Sequence, residues 1–342
     1  MRLGVMTGGG DCPGLNAAIR AVVRRAVRDH DDEVVGFFDG WNGVVEGRWV
    51  PMDVRSTRGL LPRGGTVLGT SRTAPSLLDG GLEQALSTVR DLDVDTLVVI
   101  GGDGTLGAAH AFAQLGGSVI GIPKTIDNDV AGTEHTFGFN TAVQIATDLI
   151  DRLHTTAESH DRVMVVEVMG RHTGHVAAQA GIAGGATVTL VPERPFDIEQ
   201  ICDRLQRRHA RGRYASIVVT AEGARPAPGT LEVSPVELDV WGRPKLGGVG
   251  SLLASEIAER TGFETRVTVL GHVQRGGTPT AYDRVLCSRF GVAAVDAAHD
   301  GANDHMVALR SDRIEVVPLT EVVGREKAVA EGLLDVARVF FS

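Results

Sequence analysis

Short aliphatic runs alternate with longer helical patterns along most of this chain, and that alternation limits the fold more than any other feature. Such runs are typical of buried parallel strands, and here each ends in a glycine-rich or polar loop. In the first half they occupy 2–6, 33–38, 96–101 and 118–123. Residues 140–159 follow as a predicted long helix, with Asn140 as its N-cap.

The same rhythm restarts after that helix. The later predicted strands are 162–169, 186–193, 215–223 and 265–272. Two series of strands and helices predict the α/β class, with two doubly wound, Rossmann-like parallel-sheet domains and the active site between them. We expect residues 1–139 and about 275–325 to form the first domain. Residues 140–274 and the C-terminal segment form the second, with a Pro- and Gly-rich surface insertion at 223–248.

The composition argues against two kinds of partner. Of the 342 residues, 43% are hydrophobic, and a net charge of −9 is unsuited to nucleic acid or an anionic membrane. No apolar stretch has the length of a membrane span, and the N-terminus lacks the apolar core of a signal peptide. Three scattered cysteines indicate neither a disulfide framework nor a zinc site. We therefore expect a cytoplasmic protein that binds no nucleic acid and no membrane.

A glycine-rich loop at 7–18 follows the first predicted strand and opens a helix. Its backbone amides and the helix N-terminus can hold an anion. The loop does not fit the dinucleotide fingerprint, because Pro13 stands where the third glycine is needed, and no Walker lysine follows Gly14. Taken alone, it is equally compatible with a bare tight turn.

The loop GGDGTLGAA at 101–109 is more informative. Its glycines expose backbone, whereas Asp103 would repel phosphates unless the carboxylate held a divalent cation between them. The alternative role for Asp103 is that of a helix N-cap.

Charged residues crowd the end of the fourth strand, where PKTIDND occupies 123–129. Charges there are costly to desolvate unless a ligand uses them. Asp127 and Asp129 lie two residues apart and would point the same way in extended backbone, so that one can act as a general base while the other assists a metal. Taken alone, however, the stretch fits an Asx-turn without chemistry better.

Positive residues in the second half change that interpretation. Arginines stand at four predicted strand ends, namely Arg162, Arg171, Arg266 and Arg275. His272 lies near the last of them in sequence. In an acidic protein, this arrangement indicates a dianionic substrate.

These motifs together resemble 6-phosphofructokinases, over nearly the whole chain. The last segment fits the family signature at every position: Arg266, GHVQRGG at 271–277, then Asp283 and Arg284. The GGDG loop alone is shared with NAD kinases and lipid kinases. A kinase of NAD is the weaker alternative, because it has no need for the phosphate site that Arg266 and GHVQRGG would form.

The resemblance implies transfer of a phosphoryl group to the 1-hydroxyl of fructose 6-phosphate. It makes Asp127 the general base, and Thr125 a contact of the transferring group. Arg171 would stabilise the charge that develops on that group. Asp103 would serve Mg²⁺, with Asp129 nearby.

Two larger sets of binding residues follow from the same resemblance. The donor would be bound by Gly10, Arg72, Thr73, Gly102, Asp103, Gly104 and Thr105. Fructose 6-phosphate would be bound by Thr125, Ile126, Asp127, Arg162, Met169, Gly170, Arg171, Glu222, Arg266, His272, Val273, Gln274 and Arg275. Trp41 stands where the family often has an aromatic side chain near the donor's base.

The resemblance also bears on assembly. Arg162 and Arg266 would reach the site from a neighbouring subunit, which implies a homo-oligomer, at least a dimer and expected to be a tetramer. His154 and Thr187 replace an arginine and a glutamate of the effector site in regulated bacterial relatives. We therefore expect weak activation by ADP.

The identity of the donor depends on positions 104 and 124. Relatives that use ATP usually have glycine at both positions, and those that use pyrophosphate have aspartate and lysine. Gly104 with Lys124 is a mixed pair. ATP is the expected donor, because an aspartate at 104 would repel an α-phosphate whereas Lys124 attracts either donor. The alternatives are a pyrophosphate-dependent enzyme and a catalytically inactive sensor of nucleotide and sugar phosphate.

Overall fold

The protein is represented by a computed structural model that describes residues 1–231 and 248–340. Two compact units are present. Unit 1 comprises Met1–Thr141 and Arg275–Lys327, and unit 2 comprises Ala142–Gln274 and the segment from Ala328 onward. Most of the insertion predicted at 223–248 lies outside the described residues.

The strands of the described chain are β1 Arg2–Thr7, β2 Glu33–Phe37, β3 Trp49–Met52, β4 Thr96–Gly101, β5 Val119–Thr125, β6 Phe137–Gly138, β7 Val163–Val168, β8 Val188–Leu190, β9 Ser216–Ala221, β10 Thr265–Val269, β11 His305–Arg310 and β12 Arg313–Pro318. The α-helices are α1 Leu15–Asp29, α2 Trp41–Glu46, α3 Gly81–Asp91, α4 Asp103–Gln114, α5 Phe139–His160, α6 His175–Ala183, α7 Ile198–Ala210, α8 Val249–Thr261, α9 Ala281–His299 and α10 Glu331–Phe340. Short 3₁₀ turns lie at Pro75–Leu77, Gly271–Arg275 and Leu319–Glu321.

Unit 1 is built on a sheet with the strand order β12-β11-β5-β4-β1-β2-β3, and β6 pairs with β5. The central pairs are parallel, whereas β3 and β12 run antiparallel at the two edges. Strand β1 lies between β2 and β4, so the chain extends the sheet first on one side of β1 and then on the other. Loops that follow β1 and β4 therefore flank the point where the winding changes direction, which is where open α/β sheets bind ligands.

Unit 2 contains a smaller, wholly parallel sheet in the order β10-β7-β9-β8. The central strands β7 and β9 are mostly aliphatic and buried, whereas the edge strand β10 is largely exposed. Val165, Val218, Ile201 and Leu253 form part of its core. The predicted α/β class with two parallel-sheet units is confirmed, apart from the antiparallel edge strands of unit 1.

All eight predicted strands are present, with ends displaced by at most a few residues. Four strands were not predicted, namely β3, β6, β11 and β12. β3 contains Pro51 and most of β12 is exposed, so that neither shows a continuous apolar run, and β6 has only two residues. β11 was missed although its residues 306–309 are apolar and buried. Within 1–231 and 248–340, no helix is long and apolar enough to cross a membrane.

The predicted N-cap of α5 is wrong. The helix begins at Phe139, and the side chain of Asn140 accepts a hydrogen bond from Thr280 Oγ1 (2.8 Å) instead of capping the backbone. Asp283 of α9 takes that role: its Oδ2 accepts from Thr141 N (2.8 Å) and from Thr141 Oγ1. Asp283 is fully buried, and the N-terminus of a helix stabilises a carboxylate at such a position.

Candidate active site

The loop between β1 and α1 is shaped by close approach of its backbone to neighbouring segments of unit 1. Gly8 N donates to Ile100 O (2.9 Å) and Gly9 N to Ser71 O (2.8 Å). A Cβ built on Gly8 would lie 2.6 Å from Thr105 Cγ2, so the position requires glycine. The loop contains Gly10, which is predicted to bind the donor. Its contacts with Ser71 and Thr105 bring two other predicted donor-binding residues, Arg72 and Thr105, to the same end of the sheet.

Two positive side chains of unit 1 contact that loop. Lys124 is 3% exposed, and its Nζ donates to Gly10 O (2.6 Å). Burial lowers the pKa of Lys124. Arg275 Nη1 donates to Asp11 O (3.2 Å). The guanidinium that was assigned to the sugar phosphate thus lies against the loop assigned to the donor.

The loop after β4 opens helix α4 with Gly102 as the N-cap and Asp103 as the first helical residue. The alternative in which Asp103 is the N-cap is therefore wrong. Its carboxylate is exposed at the positive end of the helix and accepts one long hydrogen bond from Gly324 N (3.4 Å). Gly104 is also exposed, and apart from the helix's own backbone and the two neighbouring residues, no described atom lies within 4 Å of a Cβ built there.

Trp41 does not have the role suggested by the family pattern. Its side chain is 2% exposed, packs against Phe112 at 5.6 Å between ring centroids, and donates from Nε1 to Thr105 O (3.3 Å). An indole with both faces in the core cannot stack on a base. The expectation that Trp41 lies beside the donor's base is wrong.

The segment after β5 carries the predicted catalytic and metal-binding aspartates. β5 ends at Thr125, and Asn128 has a φ of 54°. Alternation along an extended strand therefore does not determine where Asp127 and Asp129 point, contrary to the prediction. Both aspartates are half-buried, and Asp127 N donates to Thr125 Oγ1 (3.1 Å). Ile126 is fully buried, so only its backbone is available to a ligand.

Unit 2 gathers several predicted sugar-binding residues at the carboxyl edge of its sheet. Glu222 N donates to Val168 O (2.9 Å), and Met169 N donates to Gln274 Oε1 (3.4 Å). Gln274 is fully buried and positions the backbone, whereas His272 and Val273 are exposed.

Arg171 follows strand β7 of unit 2 and comes directly after Gly170, whose backbone φ is positive. Gly170 has a φ of 138°, and its carbonyl accepts from Gly223 N (3.0 Å). Arg171 is half-buried, and among the described residues no carboxylate lies within 4 Å of its guanidinium. An arginine without a carboxylate partner can bind an anion without first breaking an ion pair.

Arg162 and Arg266 lie at the amino ends of strands β7 and β10 in unit 2, opposite the carboxyl ends where the other predicted sugar-binding residues lie. Both guanidinium groups pair with Glu264 Oε1, at 2.7 and 2.6 Å. Hydrogen bonding to Arg162 lowers the pKa of Glu264. The six-residue strand β7 separates Arg162 from Met169, which corresponds to roughly 20 Å at ~3.3 Å per residue. The structure therefore does not bring these two arginines to the other predicted sugar-binding residues of the same unit.

The family model for phosphofructokinases matches residues 2–298 of this chain. The chain belongs to the phosphofructokinase family. The predicted family is thus confirmed, and with it the assignment as a phosphotransferase.

The chain is similar over its whole length to relatives with different donors in their names. A pyrophosphate–fructose 6-phosphate 1-phosphotransferase of Streptomyces coelicolor is 54% identical, with 100% of both chains covered. An ATP-dependent 6-phosphofructokinase 3 of the same organism is 52% identical, with 97% of both covered. A solved phosphofructokinase of Saccharomyces cerevisiae has a TM-score of 0.82 and 33% identity, covering 99% of this chain and 46% of the yeast chain. Overall identity does not distinguish the two donors.

The two aspartates predicted to hold Mg²⁺ lie in unit 1. Asp103 and Asp129 follow the neighbouring strands β4 and β5. Among the described residues, no group of three or more His, Cys, Asp or Glu side chains could enclose a metal ion. One or two carboxylates suit Mg²⁺, which keeps several waters and takes further ligands from substrate phosphates. The two aspartates therefore fit a metal that arrives with the donor.

Sequence reasoning missed two contacts that involve site residues. Glu264, the partner of Arg162 and Arg266, stands two residues from Arg266 in sequence, and that proximity was an available clue. Lys327 donates from Nζ to Asn128 Oδ1 (2.9 Å) and lies almost two hundred residues away, so no local pattern indicates it. Burial lowers the pKa of Lys327 to about 8, although Asp129 and Glu134 oppose that effect.

Proposed function

We propose that this phosphofructokinase transfers the γ-phosphoryl group of ATP to the 1-hydroxyl of fructose 6-phosphate. One observation carries the proposal: three aspartates follow β4 and β5 at the end of the sheet where the glycine loop after β1 lies. Asp103, Asp127 and Asp129 are the acceptors that a hydroxyl proton and a magnesium ion require.

Each residue then has a definite task. The Asp127 carboxylate accepts the proton of the 1-hydroxyl while that oxygen attacks the γ-phosphorus and ADP leaves. Arg171 stabilises the negative charge on the transferring group. Asp103 and Asp129 would hold Mg²⁺, which when bound neutralises charge between the donor's phosphates. The loop after β1 would contact the donor at Gly10, because the amides of Gly8 and Gly9 are bonded to Ile100 O and Ser71 O, and Lys124 holds that loop through the Gly10 carbonyl.

The open space at Gly104 supports ATP as the donor. A side chain there would have room, so an aspartate could stand at this exposed position, and the glycine keeps it free of negative charge. Lys124 and the high identity to a relative named for pyrophosphate favour a second candidate, the pyrophosphate-dependent reaction.

A parallel assay distinguishes the two donors. Purified protein is given fructose 6-phosphate and Mg²⁺ with either ATP or pyrophosphate, and kcat/KM is measured for each. We expect ATP to be preferred by at least ~10²-fold, because Gly104 leaves room for the α-phosphate and the nucleoside, whose contacts pyrophosphate cannot make. Reactions without the sugar measure background hydrolysis. A preference for pyrophosphate would overturn the assignment of ATP.

We also propose that Arg162 and Arg266 bind the sugar phosphate in a second copy of the chain, so that the functional unit is at least a dimer. Their position at the far edge of the unit 2 sheet supports this arrangement. Arg266 lies on β10, the outermost strand of that sheet, and Val267 and Val269 of the same strand are 38% and 54% exposed, as expected for a strand that another chain covers.

Shared sites predict complementation between two inactive variants. Mixing Asp127→Asn with Arg162→Ala should restore up to about one quarter of wild-type activity, because some sites then combine an intact Asp127 with an intact Arg162. Activity is measured at low fructose 6-phosphate after dissociation and reassembly. Mixing Arg162→Ala with Arg266→Ala is the control and should restore nothing, since Glu264 holds both arginines in one chain. Proven subunit exchange without recovery in the first mixture would exclude shared sites.

A further inference from the structure

The eleven residues between β5 and β6 carry Asp127 and Asp129 on backbone that is neither helix nor strand. The segment's own hydrogen bonds centre on Asn128 and Thr136, and Asn128 Nδ2 also donates to Glu134 O (3.4 Å). Asn128 Oδ1 accepts from Thr136 N (3.0 Å), and Thr136 Oγ1 donates to Thr125 O (2.7 Å). Irregular backbone of this kind keeps one conformation only when other segments satisfy its polar groups.

Residues 132–134 of the segment are held by β11. Arg310 Nε donates to Gly132 O (3.0 Å), and Glu134 N donates to Leu309 O (2.9 Å). These contacts lie three or more residues beyond Asp129. They do not reach Asp127, Asn128 or Asp129, so other residues must hold the conformation of that part of the segment.

Lys327, the last residue of unit 1, makes that second set of contacts. Its Nζ donates to Asn128 Oδ1, to Thr133 O and to Glu134 O, each at 2.9 Å. Its backbone N donates to Asp129 O (2.9 Å), and the preceding residue, Glu326, forms an antiparallel bridge with Val130. One lysine therefore binds the segment through both its side chain and its backbone.

The chemistry of these contacts suits a side chain that fixes the backbone conformation of residues 126–136, and we call this effect the lock. An ammonium group has three donors, and three oxygens of the segment lie within hydrogen-bond distance of this one. Hydrogen bonds from a charged donor are stronger than those between neutral groups. The acceptors come from both sides of Asp129, so the lysine closes the segment into a ring around that residue.

We infer that Lys327 is a positioning residue, which holds Asp127 and Asp129 in the geometry for proton transfer and metal binding. The inference rests on the proposed function, because it takes the roles of the two aspartates from it. Lys327 acts through Asn128 and the Asp129 carbonyl. Small displacements of a catalytic group are costly to turnover, so loosening this segment should lower kcat.

Lys327→Met removes the ammonium and keeps most of the side-chain volume. We expect kcat to fall at least ~10-fold and the Mg²⁺ concentration for half-maximal activity to rise several-fold, with the KM for fructose 6-phosphate unchanged. A role in stability alone would not move the magnesium requirement. Arg325→Met is the matched control, since it removes an exposed positive charge two residues away and should behave as wild type.

Hydrogen exchange without substrates tests the lock independently of catalysis. Peptides that cover 126–136 should exchange faster in Lys327→Met than in wild type or Arg325→Met. Equal exchange would overturn the lock, and faster exchange with unchanged kcat and magnesium requirement would overturn the positioning role. Should wild type not phosphorylate fructose 6-phosphate, the proposed function fails while the exchange result still stands. Asn128→Gly is the second variant, because glycine suits the positive φ at 128 and the change removes one acceptor of Lys327. If Lys327→Met does not fold, Asn128→Gly is measured in its place, and the same results support or overturn the inference.

Discussion

Asp127→Asn should lower kcat by at least ~10²-fold, the usual scale for losing a general base, and leave fructose 6-phosphate binding nearly intact. Asparagine keeps the shape of the side chain and can still accept a hydrogen bond. It cannot take a proton from the 1-hydroxyl. The backbone geometry should persist as well, because Asp127 N binds Thr125 Oγ1 whatever the side chain is.

Steady-state kinetics and equilibrium binding of the sugar phosphate check this prediction. Glu134→Gln is the matched control, because it removes one carboxylate from an exposed position of the same segment and should keep kcat within about 2-fold. A variant Asp127→Asn that retained a large fraction of wild-type turnover would mean that another group accepts the proton.

The parallel strands and the ligand loops could be predicted from the sequence because both depend on local patterns. A continuous aliphatic run predicts a buried strand, and the charged or glycine-rich residues that follow it mark the carboxyl edge of the sheet. GGDG at 101–104 and PKTIDND at 123–129 were located in this way. The edge strands β3 and β12 were missed, since half-exposed strands lack that pattern, whereas β11 was missed although its residues 306–309 are apolar and buried.

Contacts over long sequence separations could not be predicted. Lys327 with Asn128, and Asp283 with Thr141, join residues more than a hundred positions apart, and only the folded chain brings them together. The residues that surround a given side chain could not be predicted for the same reason. Trp41 is a core residue, although the family pattern places an aromatic side chain near the donor's base, and the contacts of Arg275 with Gly10 and Asp11 are not visible in the sequence.

Donor choice should respond to position 104 and not to position 124. Gly104→Asp should lower kcat/KM for ATP by at least ~10²-fold, because like charges that face each other across an interface cost several kcal/mol. The new carboxylate would stand at an exposed point of α4 with nothing beside it, so the protein should fold normally. Gly104→Ala is the control; it adds a Cβ without charge and should retain most of the ATP-dependent activity.

Lys124 should affect both donors to the same degree. Its Nζ is buried and donates to the Gly10 carbonyl, so the lysine acts on the loop that either donor would contact. Lys124→Met avoids the cavity that glycine would leave, and we expect it to lower kcat/KM for ATP and for pyrophosphate by similar factors. The ratio of the two kcat/KM values, measured for wild type and for each variant, separates the two positions. A ratio that moves in Lys124→Met and stays constant in Gly104→Asp would show that the lysine selects the donor, since only a group that favours one donor over the other changes that ratio.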